Sequence, residues 1–170
     1  VAISHPEGRG LNRAMTQALV DAQISAPDID YVNAHAPSTS IGDASELKAL
    51  KSVFPLPQEV MISSTKALTG HGLSLSSIME ASFCCLALKD GFLPGSAHVT
   101  DPDPEIGHLR LLRQTEQTQA KRILSNSSGF GGANVSVIFF PGDTLHLLIP
   151  GNMSPSNGES SKTRLLPSPS

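Results

Sequence analysis

The sequence predicts an α/β protein, layered as helix, mixed sheet and helix, and three observations carry that prediction. Short apolar runs bounded by turn residues recur near Ile29, Val60, Ile123 and Val135, the pattern of buried strands. Between the first of them lie longer segments whose apolar residues recur three and four apart, as on one face of a helix. Residues 73–88 are apolar nearly all round, so a helix there is expected to be buried on more than one side, against the sheet.

Taken in order, Val1 to Ser4 reads as the tail of a strand, with no methionine before it and a loop, HPEGRG, close behind. That opening leads us to expect an upstream half outside this sequence. Leu11, Ala14, Met15, Ala18, Leu19 and Ala22 then mark one amphipathic helix, which Pro27 and Asp28 end. Residues 29–34 read as a short buried strand ending at His35. Ser38, Thr39 and Ser40 offer hydroxyls to cap a second helix, whose apolar face is expected at Ile41, Ala44, Leu47, Leu50 and Phe54. Asp43 and Glu46 fall in its first turns, where carboxylates suit the positive helix end. Pro55 and Pro57 close it, and residues 60–64 form the next strand.

Residues 91–119, rich in Pro, Gly and Asp, read as a long surface excursion with one short strand near residues 109–112. Residues 122–127 and 135–140 read as two strands joined by SGFGGAN, a glycine-rich turn where backbone can approach a ligand closely. After Pro141 the character changes, and residues 151–170 hold Pro, Ser, Asn and Gly with few apolar anchors, the composition of a disordered tail.

Bulk composition narrows the function. A chain of 170 residues, 39% hydrophobic and 16% charged, can bury one sizeable core. A net charge of −3 without a basic stripe argues against nucleic acid or an anionic membrane as the main partner. No apolar run approaches the roughly 20 residues of a membrane helix. Cys84 and Cys85 are adjacent in an apolar helical segment, a poor arrangement for a disulfide; they read as packing residues in a reducing compartment, and a cytoplasmic location is expected. The six histidines fit no metal-ligand spacing.

The stretch SSTKALTGH places Lys66 and His71 five residues apart where a strand gives way to a helix. His35, at the end of YVNAH, occupies a second such junction. Ligands collect there in α/β proteins because backbone N–H groups and side chains converge. Taken singly, each has an ordinary reading: His35 a strand-end histidine bonded to backbone, Lys66 a solvated cation, residues 129–132 a tight hairpin.

Together they carry more. The segments NAHAPSTSIGDASELKALKSVF, SSTKALTGHGLSLSSIMEASFCCLALKDG and SNSSGFGGANVSVIF resemble, in order and over about residues 1–140, the C-terminal half of β-ketoacyl-acyl-carrier-protein synthases of the elongating type. The resemblance implies a thiolase-like fold of two similar α/β halves, in which residues 73–88 pack against a matching helix of the other half. It implies decarboxylative condensation of a malonyl thioester with an acyl group held on a cysteine of the first half, a cysteine absent here. His35 and His71 match the family's two histidines, Lys66 its lysine and Glu80 its carboxylate, and these four are the expected catalytic set. Phe130 matches the gate whose N–H completes an oxyanion hole. Thr39, with Gly129 and Gly131, matches the pantetheine and acyl channel.

No metal or cofactor is implied. The partners implied are acyl carrier protein with phosphopantetheine-linked substrates and a second synthase subunit, identical or not. A non-catalytic chain-length-factor-like subunit is the alternative. Pro37 stands where the family usually has threonine, residues 74–77 replace a run of glycine and alanine, and Ser128 replaces a phenylalanine. Those departures point to a divergent subfamily, polyketide-like or aryl-polyene-like synthases among the candidates. Residues 141–170 have no family counterpart.

Overall fold

The computed structural model describes residues 6–56 and 59–142. The expected disordered tail, residues 151–170, and the strand-like opening lie outside the described residues, as does the segment without a family counterpart from residue 143 on.

Four strands run parallel and a fifth returns. β1 (Tyr31–Asn33), β2 (Met61–Ser63), β4 (Arg110–Leu111), β6 (Ile123–Ser128) and β7 (Asn134–Phe139) form one sheet in the order β4-β2-β1-β6-β7. Only β7 is antiparallel to its neighbour, so the sheet is mixed, as expected. Registers align Tyr31 with Ile123 and Phe139, and Val32 with Leu124 and Ile138. Because side chains alternate across a strand, each row faces one layer.

The row of Val32, Leu124 and Ile138 packs beneath α1 (Arg9–Asp21) and α2 (Ser40–Val53), against Leu11, Met15, Leu19, Ala49 and Leu50. Tyr31, Ile123 and Phe139 face α4 (Ser76–Asp90), against Cys84, Ala87 and Leu88. The product is the three-layer arrangement the sequence predicts. Among the described residues, no helix is long and apolar enough to cross a membrane.

Three expectations need correcting. Of the face expected on α2, Leu50 and Phe54 are buried and Leu47 packs against the core, but Ile41 is 68% exposed and Ala44 is exposed, and Ser45, Glu46 and Ala49 are buried instead. In the first turns the buried face is rotated because Glu46 has partners inside, described below. α4 is buried along one stripe only, Ser76, Glu80, Cys84, Ala87 and Leu88; Ile78 and Leu86 are exposed. Residues 91–119 are no mere surface excursion: Leu93, Leu109 and Leu112 are buried, β4 extends the sheet, and β3 (Phe92–Leu93) pairs with β5 (Glu116–Gln117) in a small antiparallel ribbon. On its exposed side Arg110 Nη2 donates to both carboxylate oxygens of Glu116, each at 2.8 Å.

Candidate active site

The C-terminal ends of the parallel strands are polar although buried: Asn33, Ser63, Ser125 and Asn126 are all 6% exposed or less. Tyr31 Oη and Ser63 Oγ are 2.5 Å apart and Ser63 Oγ donates to Pro94 O, which ties β1 and β2 to the segment after β3. Burial raises the Tyr31 phenol above its ordinary range, so it stays a neutral donor. Two loops leave this edge, and each carries a histidine.

The first follows β1. His35 is 7% exposed, and the chain turns sharply after it, with Ala36 at φ 31 and Ser38 at φ 66. Non-glycine residues rarely adopt such angles. What holds the turn is Glu46 on α2, whose carboxylate accepts from His35 N at 3.0 Å, Ala36 N at 2.7 Å and Asn126 Nδ2 at 3.2 Å. Burial pushes the Glu46 carboxyl upward, opposed by the Ala36, His35 and Asn126 bonds and by Lys66. Thr39 caps α2, its Oγ1 accepting from Gly42 N at 3.2 Å.

The second loop follows β2. α3 (Lys66–Thr69) is a single helical turn, closed at Gly70 with φ 70, beyond which lies His71. The Lys66 ammonium is buried and bonded to Glu80 of α4, the helix next in line. Burial pushes the Glu80 carboxyl upward, while the bond to Lys66 and its charge pull it back. The pair is therefore an internal strut between the His71 loop and α4, paired as a buried charge must be.

The two loops converge. The His35 and His71 rings meet edge to face, centroids 5.3 Å apart and planes at 86°. Burial, then the charge of Lys66, then His71 itself lower the His35 pKa to about 4, so at neutral pH its imidazole is uncharged. Leu73 N donates to His71 Nδ1 at 3.1 Å; a neutral His71 ring accepting there carries its proton on Nε2. Among the described residues, Glu80 Oε2, His35 Nδ1, Thr65 Oγ1 and Asn33 Nδ2 are buried without a hydrogen-bond partner, which leaves polar capacity within the strand-end region.

Phe130 lies beyond β6, at the same end of the sheet since β6 runs parallel to β1. Its side chain is 76% exposed, and among the described residues its ring stacks on neither imidazole. Gly131 has φ 79 and nothing lies within 4 Å of a Cβ built there. Backbone angle, rather than crowding, requires glycine at that point. Gly129 donates its N–H to Ala133 O at 2.9 Å and closes the turn.

His35, His71, Lys66 and Glu80 are thus brought together, Thr39 serves as a helix cap, and Phe130 with its glycines forms an exposed turn at the same end of the sheet. Glu46 and Asn126 escaped sequence reasoning as site residues. The one signal available was Glu46 itself, a carboxylate one helical turn ahead of Ala49 and Leu50.

Comparison with known proteins identifies the family and the fold. The family described as "Beta-ketoacyl synthase, C-terminal domain" matches residues 1–100. The chain belongs to the β-ketoacyl synthase family. It is 39% identical over 135 residues to 3-oxoacyl-[acyl-carrier-protein] synthase 2 of Staphylococcus aureus, covering 79% of this chain and 34% of that protein. A β-ketoacyl synthase from Burkholderia phymatum superposes with a TM-score of 0.76 at 33% identity, over 82% of this chain and 34% of that one. A ketosynthase in complex with its chain length factor from Xenorhabdus doucetiae gives 0.70 at 36% identity, over 79% and 34%. The β-ketoacyl synthase relationship accounts for the layered fold, and the chain spans about a third of the length of these relatives.

Proposed function

We propose that this chain is the C-terminal part of a 3-oxoacyl-[acyl-carrier-protein] synthase that lengthens an acyl chain by two carbons from a malonyl thioester. One observation carries the reading: two histidines from separate strand-to-helix turns meet at 5.3 Å, and burial keeps at least His35 uncharged. In the reaction, the bond between the malonyl carboxylate and Cα breaks, carbon dioxide leaves, and the electron pair remains as a thioester enolate. The His35 and His71 N–H groups donate to the enolate oxygen. A neutral imidazole does this without surrendering a proton that would quench the carbanion.

The carbanion attacks the carbonyl of an acyl group carried on a cysteine. The carbon–carbon bond forms, the carbon–sulfur bond breaks, and the thiolate leaves. The Phe130 N–H stabilises the oxyanion formed in that attack. Lys66 supplies positive charge behind the histidines and Glu80 holds it there. Thr39, Gly129 and Gly131 border the pantetheine path.

Neither cysteine of this sequence suits the nucleophile. Burial pushes the Cys84 thiol up to about 12, and Cys85 sits on α4 with its thiol also raised by burial. The acyl-carrying thiol in this proposal comes from outside these 170 residues, and the chain alone is inactive. Acyl carrier protein is the substrate-bearing partner, a second synthase subunit the structural one, and the cytoplasm the place of action, in keeping with two free thiols.

The likeness to a ketosynthase–chain-length-factor complex supports a second reading, a non-catalytic subunit that shapes its partner's tunnel. The residue at the nucleophile position separates the two: cysteine favours the enzyme and glutamine the partner. The decisive assay gives the full-length protein malonyl- and acyl-carrier proteins and follows condensation. Replacing His35 and His71 together by alanine is expected to reduce turnover by about 10²-fold or more; undiminished turnover overturns the proposal.

A further inference from the structure

His71 stands on an exposed turn flanked by Gly70 and Gly72. An imidazole there has a free χ2 unless something holds it. Two groups reach its Nδ1: the backbone N–H of Leu73 and the hydroxyl of Ser76, each at 3.1 Å. A backbone amide can only donate, so Nδ1 is the acceptor, and the Ser76 hydroxyl at the same atom must then donate as well. Ser76 is 5% exposed, and as the first residue of α4 its backbone belongs to the helix that also carries Glu80.

We propose that Ser76 is a positioning residue for His71, a second donor at Nδ1 that fixes the ring plane and directs Nε2–H outward. This rests on the function proposed above and adds a residue to it. The titratable groups around the ring are His35 at its edge and the Lys66–Glu80 pair. None of the three is bonded to His71 Nδ1 among the described residues. With Leu73 alone at Nδ1, the ring keeps its tautomer and loses one of its two tethers.

The test is a histidine ¹⁵N spectrum of the chain with Ser76 intact, of Ser76→Ala and of Ser76→Thr. The parent is expected to show His71 as a single Nε2–H tautomer with a hydrogen-bonded Nδ1. Ser76→Ala is expected to shift the Nδ1 resonance toward the unbonded value and broaden the ring signals, and Ser76→Thr to restore both. An Nδ1–H tautomer in the parent, or an alanine variant with unchanged His71 resonances, overturns the proposal. Far-ultraviolet circular dichroism shows that each variant is folded; if the alanine variant unfolds, the threonine variant and the parent tautomer still decide. In the full-length protein, kcat is expected to fall about fivefold in Ser76→Ala, the worth of one hydrogen bond, with KM unchanged. The spectral change in a protein that performs no condensation would retain the clamp and reject the condensing activity.

Discussion

At the residue scale, the Lys66–Glu80 pair links two requirements. Removing either charge leaves the other buried without its partner, at a cost of about 3–5 kcal/mol, whereas removing both can be nearly neutral. Lys66→Met and Glu80→Leu are therefore each expected to lower the urea midpoint sharply, with the double variant more stable than the sum of the two predicts. Strict additivity would show that the charges are not coupled. His35 makes a separate prediction through pH. Its folded pKa is depressed to about 4 from an ordinary 6.5, so between those values the unfolded chain binds the extra proton. That contribution is complete above pH 6.5, shrinks as pH falls toward 4 and changes no further below it. It amounts to about 3 kcal/mol at most. Glu46 and Glu80, both raised, contribute with the opposite slope, so the reading is a difference. Plotted against pH, the stability of His35→Gln should lack the rise that the parent shows between pH 4 and 6.5; parallel curves would contradict the assigned shift.

At the scale of elements, α1 meets α2 through Gly8. This residue has φ 62, and a Cβ built on it would lie 2.3 Å from Ser45 O and 2.9 Å from Ala49 Cβ. Both the backbone angle and the contact oppose a side chain. Gly8→Ala is expected to cost about 1–3 kcal/mol, measured by thermal unfolding; a neutral outcome would mean that α1 and α2 can separate freely. The same pair shows what sequence could convey. α1 was legible because Leu11, Met15 and Leu19 recur at helical spacing and meet an apolar sheet face. The first turns of α2 were read with Ile41 and Ala44 inward because the residues buried there are Ser45 and Glu46, and the backbone N–H groups that make a buried carboxylate tolerable lie ten and eleven residues away. Periodicity counts apolar residues and cannot register such a partner. β3 and β5 are two residues each, too short for alternation to show, so Leu93 went unread as core; β4 lies where a short strand was expected, but that strand was read as part of a surface excursion, so Leu112 went unread as core too. At the site, His35, Lys66 and His71 stood out at two strand-to-helix junctions and Glu80 through motif resemblance, and the structure brings the four together. Ser76 and Asn126 depend on contacts across elements that no local pattern reveals.

For the whole molecule, the three layers are unequal. Two helices cover one face of the sheet and α4 covers the other, and among the described residues nothing covers much of the outer surface of α4: Ile78 is 60% and Leu86 44% exposed, with Leu75, just before the helix, at 56%. The stripe α4 buries runs Ser76, Glu80, Cys84 and Leu88, so these exposed apolar residues contribute nothing to the core described here. Apolar side chains grouped on one helix gain by leaving water, at about 25 cal/mol per Å² removed, and contiguous exposed patches commonly mark interfaces. In a chain that spans about a third of its relatives' length, that surface is where we expect further protein to dock. Alone, the chain should enhance the fluorescence of an anilinonaphthalene dye and sediment as more than a monomer. Leu75→Lys with Ile78→Lys should abolish both and shift the unfolding midpoint little, since neither side chain is buried and exposed substitutions usually stay within about 0.5 kcal/mol each. A parent chain that is monomeric and dark to the dye would mean that α4 is complete as it stands, and that its apolar outer face serves no contact.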